Sequence, residues 1–501
     1  PANEETQQRL DGLARQLGLY AELVALYESV VTDVVDEQLR IRILGKVAQL
    51  YEVALDDAEN AAASYEKILE VDPGNFEAID ALIEVHRRTN NFEPLVAAVV
   101  RKAEMVEQPD DQKTLLKYAA SIREGVMEDA EGAIELFQQV LTIDDSDREA
   151  LDALVKLYIQ LERWEPLKDV YQRQSELAED PDERRQALYV LGQVYDTELQ
   201  DSDRAIDTYQ QILDLDPADY QAIQALDRLY GQTERWLDQL QILERAVDAV
   251  GDANEQTSLR FRIGGLWEQQ LGDTVRAIEA YRDVLQYDPA HQPTISALDR
   301  IVHGDVEPMA AANVLAPLYE QLAEWEKLVD IYEVMVLHTE DPIGKIERLH
   351  RVAGIHELQL SEFDKAFDAY ARALATDPQS DETVEQLNRL AEVTGDWDKF
   401  AALLADQADK LLDPVVKTQM LLRLAGIYEE RLQNVDLAVK RYLEVLDSDP
   451  ENAHAISSLD RIFTVLERWP DLVENLRRQI TITADEQSVI DLYFRMGQIH
   501  Q

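Results

Sequence analysis

One interval governs this sequence: 72 residues. Prolines that close an apolar stretch stand at Pro73, Pro217, Pro289, Pro378 and Pro450, and Asp145 takes the same place in Ile143-Asp144-Asp145. The successive intervals are 72, 72, 72, 89 and 72. Tyr65, Phe137, Tyr209, Tyr281, Tyr370 and Tyr442 keep the same steps, and so does a second aromatic series, Tyr20, Phe92, Trp164, Trp236, Trp325, Trp397 and Trp469. Landmarks that return together mark a unit that buries its apolar face by stacking on its neighbours. The single long interval is an insertion of 89 − 72 = 17 residues.

Within each unit the apolar spacing is helical: Leu151, Leu154, Val155 and Tyr158 sit at i, i+3, i+4 and i+7, and strand-like alternation is nowhere sustained. A small residue recurs at Ala48, Ala120, Gly192, Gly264, Ala353, Ala425 and Gly497. Three residues on stands a bulky one, Tyr51, Tyr195, Trp267 or Tyr428, with Arg123, His356 and His500 departing. Ala61, Ala133, Ala205, Ala277, Ala366 and Ala438 each precede the Tyr65 series by four residues, and the proline follows that aromatic by eight. Antiparallel helices approach closely only where small side chains face each other, aromatics fill the groove beside them, and proline stops the second helix.

In order, small, bulky, Ala, aromatic and Pro resembles the tetratricopeptide repeat family, in the manner of long bacterial arrays of that type. The resemblance covers essentially the whole chain. It implies an all-α fold, a right-handed superhelical solenoid of antiparallel helix pairs, with about thirteen repeats in 72-residue double units and one unfinished helix. The second half of each unit is a looser version of about 37 residues, with Asp227, Asp299, Asn388 and Asp460 at the eighth position. The expected organisation is a solenoid segment over residues 1–290, an irregular repeat over 291–325 and a second segment over 326–501.

Composition narrows the function. With 48 basic and 100 acidic residues the net charge is −52, a field that repels nucleic acid and anionic lipid surfaces. No apolar run approaches the roughly 20 residues that span a bilayer, so no direct membrane insertion is expected. Cysteine is absent, which removes disulfides, thiolate metal sites and cysteine nucleophiles. Compartment is left open between cytoplasm and periplasm.

No nucleophile elbow, phosphate loop, dinucleotide fingerprint or paired-His zinc motif occurs, so no enzyme activity, metal or cofactor is expected. Gly264-Gly265 occupies a repeat's small position. His350 and His356 lie on different helix faces. Asp144-Asp145-Ser146-Asp147 and Asp201-Ser202-Asp203 lack the terminal Glu of a calcium loop and read as helix caps.

The resemblance places each repeat's first helix on the concave wall. Its twelfth position reads Glu52, Glu124, Asp196, Glu268, Glu357 and Glu429, and the ninth position of the second halves reads Glu84, Lys156, Arg228, Arg300, Arg389 and Arg461. Two readings stand: the rows neutralise one another, or they recognise a partner. Tyr189, Phe261, Leu422 and Phe494 hold the family's groove-facing fifth position, where a partner segment would dock, unless they pack on the next helix. No repeat supplies the Lys, Asn and Arg set that the family uses to grip a terminal carboxylate.

The expected function is a non-enzymatic scaffold for protein or peptide partners. The alternatives are the solenoid arm of a multidomain enzyme or signalling protein, and a fibre subunit that self-associates through its terminal repeats. Pro1-Ala2-Asn3 aligns with Pro73-Gly74-Asn75, which suggests a slice of a longer array. Between Pro289 and Trp325, Thr294–Val302 and Pro308–Leu322 both resemble the opening helix of a second half. The expectation there is one additional short helix crossing the stack, kinked at Pro317, and a local change of superhelical direction.

Overall fold

In the computed structural model, residues 3–499 are described. Pro1, Ala2 and His500, on which two of the sequence expectations fall, lie outside them. The described residues form 28 α-helices and no strand, in two units, Pro1–Ala249 and Val250–Gln501. Within each unit every helix packs on the next along the chain, which is the plan of an α-solenoid. The helices pair as thirteen hairpins, leaving over one inserted helix and the final Glu486–Ile499.

The recurrent residues explain the hairpin. Ala48, Ala120, Ala353 and Ala425 are fully buried, as are Ala61, Ala133, Ala205, Ala277, Ala366 and Ala438 on the partner helix. Where the first series is glycine, the facing ring comes closer. A β-carbon on Gly192 would stand 2.8 Å from the Tyr209 ring, and one on Gly264 would stand 2.4 Å from Tyr281. Ile68, Val140, Ile212, Val284 and Val445, three residues past the aromatic, complete the buried stripe.

Each first-half helix ends in the same widened turn. Leu55 N–H donates to Leu50 C=O at 3.1 Å and Asp57 N–H to Tyr51 C=O at 2.9 Å, and this pair recurs at Leu199/Asp201, Leu271/Asp273 and Leu432/Asn434. The residue between them is left-handed: Asp56, Glu128, Gln200, Gly272, Ser361 and Gln433. A second left-handed series, Gly18, Asn90, Glu162, Glu234, Ala323, Gly395 and Glu467, closes the first helix of the second halves.

The departures from the bulky position have a local reason. Arg123 pairs with Asp129, which caps the following helix, and His356 Nδ1 lies 2.9 Å from Glu362 in the same place. Trp267 and Tyr195 instead lie under Arg276 and Arg204, at 4.5 and 5.8 Å. Gly132 makes room for Arg123, whose Cδ would be 2.6 Å from an added β-carbon.

The Asp before each proline forms a turn. Its carboxylate accepts from the backbone two residues on, as in Asp72 to Gly74 at 3.2 Å, Asp216 to Ala218 at 3.1 Å and Asp377 to Gln379 at 3.0 Å. Asp144 does the same with Ser146 at 3.0 Å, so the turn survives where Asp145 replaces proline.

The insertion adds one helix, as expected, though not a short one. Gln292–Val302 keeps the register of Tyr220–Gln232. Pro308–Gln321 follows, is as long as its neighbours and continues through Pro317. It buries Ala311, Ala312, Leu315 and Tyr319 against Thr274–Tyr287, Gln292–Val302 and Trp325–Leu337. The break and restart fall at His303-Gly304-Asp305 and Pro308, and Glu307 between them is the one left-handed residue outside the two series. The whole region lies inside the second unit.

Candidate interaction surface

The acidic and basic rows meet as pairs. Arg300 Nη2 lies 2.5 Å from Glu268, Arg389 Nη1 2.6 Å from Glu357 and Arg461 Nη2 2.6 Å from Glu429. Lys156 pairs with Glu124 and Arg228 with Asp196 in the same register. In the unit where Glu84 breaks the basic row, Arg88, one turn on, reaches Glu52 at 3.6 Å. Each pair joins the first half of a unit to its second.

A third member belongs to each rung. Tyr65, Tyr281 and Tyr442 donate their hydroxyls to Glu52, Glu268 and Glu429 at 3.2, 2.8 and 3.1 Å. Burial first, then the facing carboxylate, pushes these phenols upward, Tyr65 to about 12. The acid is the enclosed partner: the Glu357 side chain is 6% exposed, whereas Arg389 is 47% exposed. In the unit that carries Phe137 there is no hydroxyl to donate, and there Glu124 and Lys156 are the more exposed, at 24% and 70%. A carboxylate withdrawn from water needs its donors, so the rung is a structural bond between repeats.

The fifth-position residues are also occupied. Tyr189 donates to Asp219, the cap of the second half, and its ring meets Tyr209 edge-on at 6.3 Å. Phe261 packs against Tyr281 at 5.6 Å and against His291, which precedes the equivalent helix, at 5.3 Å. Lys117 reaches Asp147 at 3.1 Å from the same position. Packing on the next helix is therefore what the structure records for Tyr189 and Phe261, and for the rows Glu124, Asp196, Glu268, Glu357, Arg228, Arg300 and Arg389 it records internal pairing.

The histidines do not converge. His350 Nε2 sits 2.9 Å from the Thr383 hydroxyl and its ring meets Tyr370 at 5.3 Å, with burial pulling its pKa down. Asp147 and Asp201 cap helices at Ala150 and Arg204, and Asp144 accepts from Ser146 and from Lys113 at 2.6 Å. Among the described residues no group of His, Asp and Glu could hold a metal ion, and no helix is long and apolar enough to cross a membrane. What remains outside these contacts is mostly carboxylate, since most basic side chains already hold an acidic partner.

Sequence reasoning missed one cavity, in the first unit where Arg148–Gln160, Trp164–Leu177 and Pro181–Gln193 meet. It holds about 640 Å³. Its signal was a size change within the repeat: Val190 stands where the same register carries Tyr118 and Arg423.

Three families match parts of the chain. Residues 51–159 match the TT21 fifth ARM repeats domain, and residues 150–185 and 186–219 match two tetratricopeptide repeat families. No curated protein matches the sequence. Among solved structures, Naa15/Naa10 bound to HypK-THB aligns at 12% identity over 99% of this chain and 96% of that one, with a TM-score of 0.28. YrrB, a tetratricopeptide protein with an unusual peptide-binding site, aligns at 17% over 40% and 98%, TM-score 0.24. The C-terminal part of a tetratricopeptide repeat-containing protein from Cytophaga hutchinsonii aligns at 15% over 52% and 99%, TM-score 0.23. By the repeat families matched in residues 150–219 and the same small, aromatic and proline positions recurring through both units, this chain carries tetratricopeptide repeats.

Proposed function

We propose that the chain is a non-enzymatic scaffold that holds protein partners of basic character. Tetratricopeptide repeats generally mediate contact between proteins. The observation that carries the more specific reading is the division of charge. The recurrent bases are taken up in rungs within the units, so a chain of net charge −52 offers a surface dominated by unneutralised carboxylates. Such a surface draws in and orients a cationic partner and turns away anionic ones.

The test is affinity capture on the immobilised chain from nuclease-treated extract of the native organism, eluted in steps of salt from about 0.1 to about 0.5 M, over which surface electrostatics are progressively screened. A defined set of basic proteins released across that range is the expected result. Retention of no protein, or of acidic proteins insensitive to salt, would contradict it.

A further inference from the structure

We propose that the cavity between Arg148–Gln160, Trp164–Leu177 and Pro181–Gln193 is an anchor pocket for an arginine or lysine side chain of a partner segment. The proposal rests on the scaffold reading and adds the place where a partner is gripped.

The cavity exists because the stack is locally underfilled. Val190 presents a short side chain where the equivalent residues Tyr118 and Arg423 are large, and Arg423 there pairs with Asp381. The space left is about 640 Å³, enough for a long side chain and part of the backbone that carries it.

The walls match such a side chain in two parts. Leu151, Leu177, Ala187 and Val190 give an apolar surface for an aliphatic stem. Polar groups without a strong partner lie beside it. Asp152 accepts only the Gln174 amide, at 2.9 Å, and Asp180 accepts only a backbone N–H, from Asp182 at 3.4 Å. Neither faces a cation among the described residues, unlike Asp182, held by Arg185 at 2.9 Å, and Glu183, held by Arg148 at 3.5 Å. The Tyr171 hydroxyl and the Gln186 amide also line the cavity without a hydrogen-bond partner among the described residues. Burial, with Asp152 adding to it, pushes the Tyr171 phenol upward, so it remains a neutral donor and acceptor.

These carboxylates do not converge as metal ligands would. Spread around an apolar wall, they suit an extended cation whose charge lies several bonds from its backbone, and a guanidinium, with five donors, satisfies the most of them. An anionic or purely apolar side chain would leave Asp152 and Asp180 unpaired in a drier place.

The test uses the full chain and a fluorescent Gly/Ser-spaced peptide carrying three arginines, with a glutamine version as control, read by anisotropy. Asp152→Asn with Asp180→Asn removes the cation partners. Val190→Tyr fills the space with the residue that the preceding unit already accommodates at Tyr118, and circular dichroism checks that it folds. Asp409→Asn with Asp447→Asn removes the same charge from exposed positions elsewhere. The expected result is about ten-fold weaker binding for each pocket variant and a much smaller change for the control pair. Equal binding by wild type and Val190→Tyr, or equal losses for the two charge-removing pairs, would overturn the pocket. Partner capture from extract that persisted in Val190→Tyr would then show that the scaffold reading stands without it.

Discussion

Gly264 and Gly265 are neighbours in one helix, yet the structure assigns them opposite roles. The first faces Tyr281 so closely that a β-carbon has no room, whereas a β-carbon on the second meets nothing within 4 Å. Gly264→Ala is therefore expected to lower stability by about 1–3 kcal/mol through overpacking. Gly265→Ala should raise it by about 0.5–1 kcal/mol, because alanine restricts the unfolded chain and favours helix. Urea unfolding of the two variants checks both signs, and a loss for Gly265→Ala would show that the open face is occupied. The small position was legible in the sequence because it recurs beside the aromatic. That Arg123 and His356 replace an aromatic by reaching a cap carboxylate was not, since the compensating acids, Asp129 and Glu362, look like any other N-cap in the repeat.

At the scale of elements, the Asp-Pro turns and helix caps could be read from residue type, but the thirteen left-handed turn residues could not. Only Gly18, Gly272 and Gly395 among them are glycine, and the others hold φ near +50° to +57° because flanking helices impose it. The inserted helix was foreseen from its duplicated motif. Its length, through Pro317, was not, because buried packing on three neighbours outweighs the missing backbone donor. One contact there is pH-sensitive. His303 Nδ1 lies 2.9 Å from the Asp299 carbonyl and Nε2 2.9 Å from the Asp330 carboxylate, so both ring nitrogens face acceptors and the doubly protonated ring fits best. The Asp299 carbonyl first, then Asp330, raises the His303 pKa against partial desolvation. A raised folded-state pKa means that the contact contributes fully below the ordinary histidine value and is lost as pH rises through the higher one. Hydrogen exchange of residues 303–308 should accordingly quicken between about pH 6 and about pH 8, beyond the intrinsic rise. His303→Gln should remove that excess, and an unchanged excess would assign it elsewhere.

For the whole molecule, the 72-residue step made the architecture legible before any side chain was placed, because a stacked repeat leaves few alternatives for its core. The interaction surface was less legible for the same reason. Strict recurrence drew attention to Glu124, Asp196, Glu268, Glu357, Arg228, Arg300 and Arg389, and what recurs in every repeat is what every repeat needs to stack. The pocket shows itself only as a departure from the pattern, at Val190. The central claim, that the periodic charges bind the repeats to each other while the surplus acids face partners, is tested most directly in Arg228→Gln, Arg300→Gln and Arg389→Gln combined. Left with enclosed, unpaired Asp196, Glu268 and Glu357, this variant should unfold at clearly lower urea, at a cost of about 1–3 kcal/mol per rung. When folded, it should capture basic proteins as well as the wild type does. An unchanged urea midpoint together with lost capture would contradict the account.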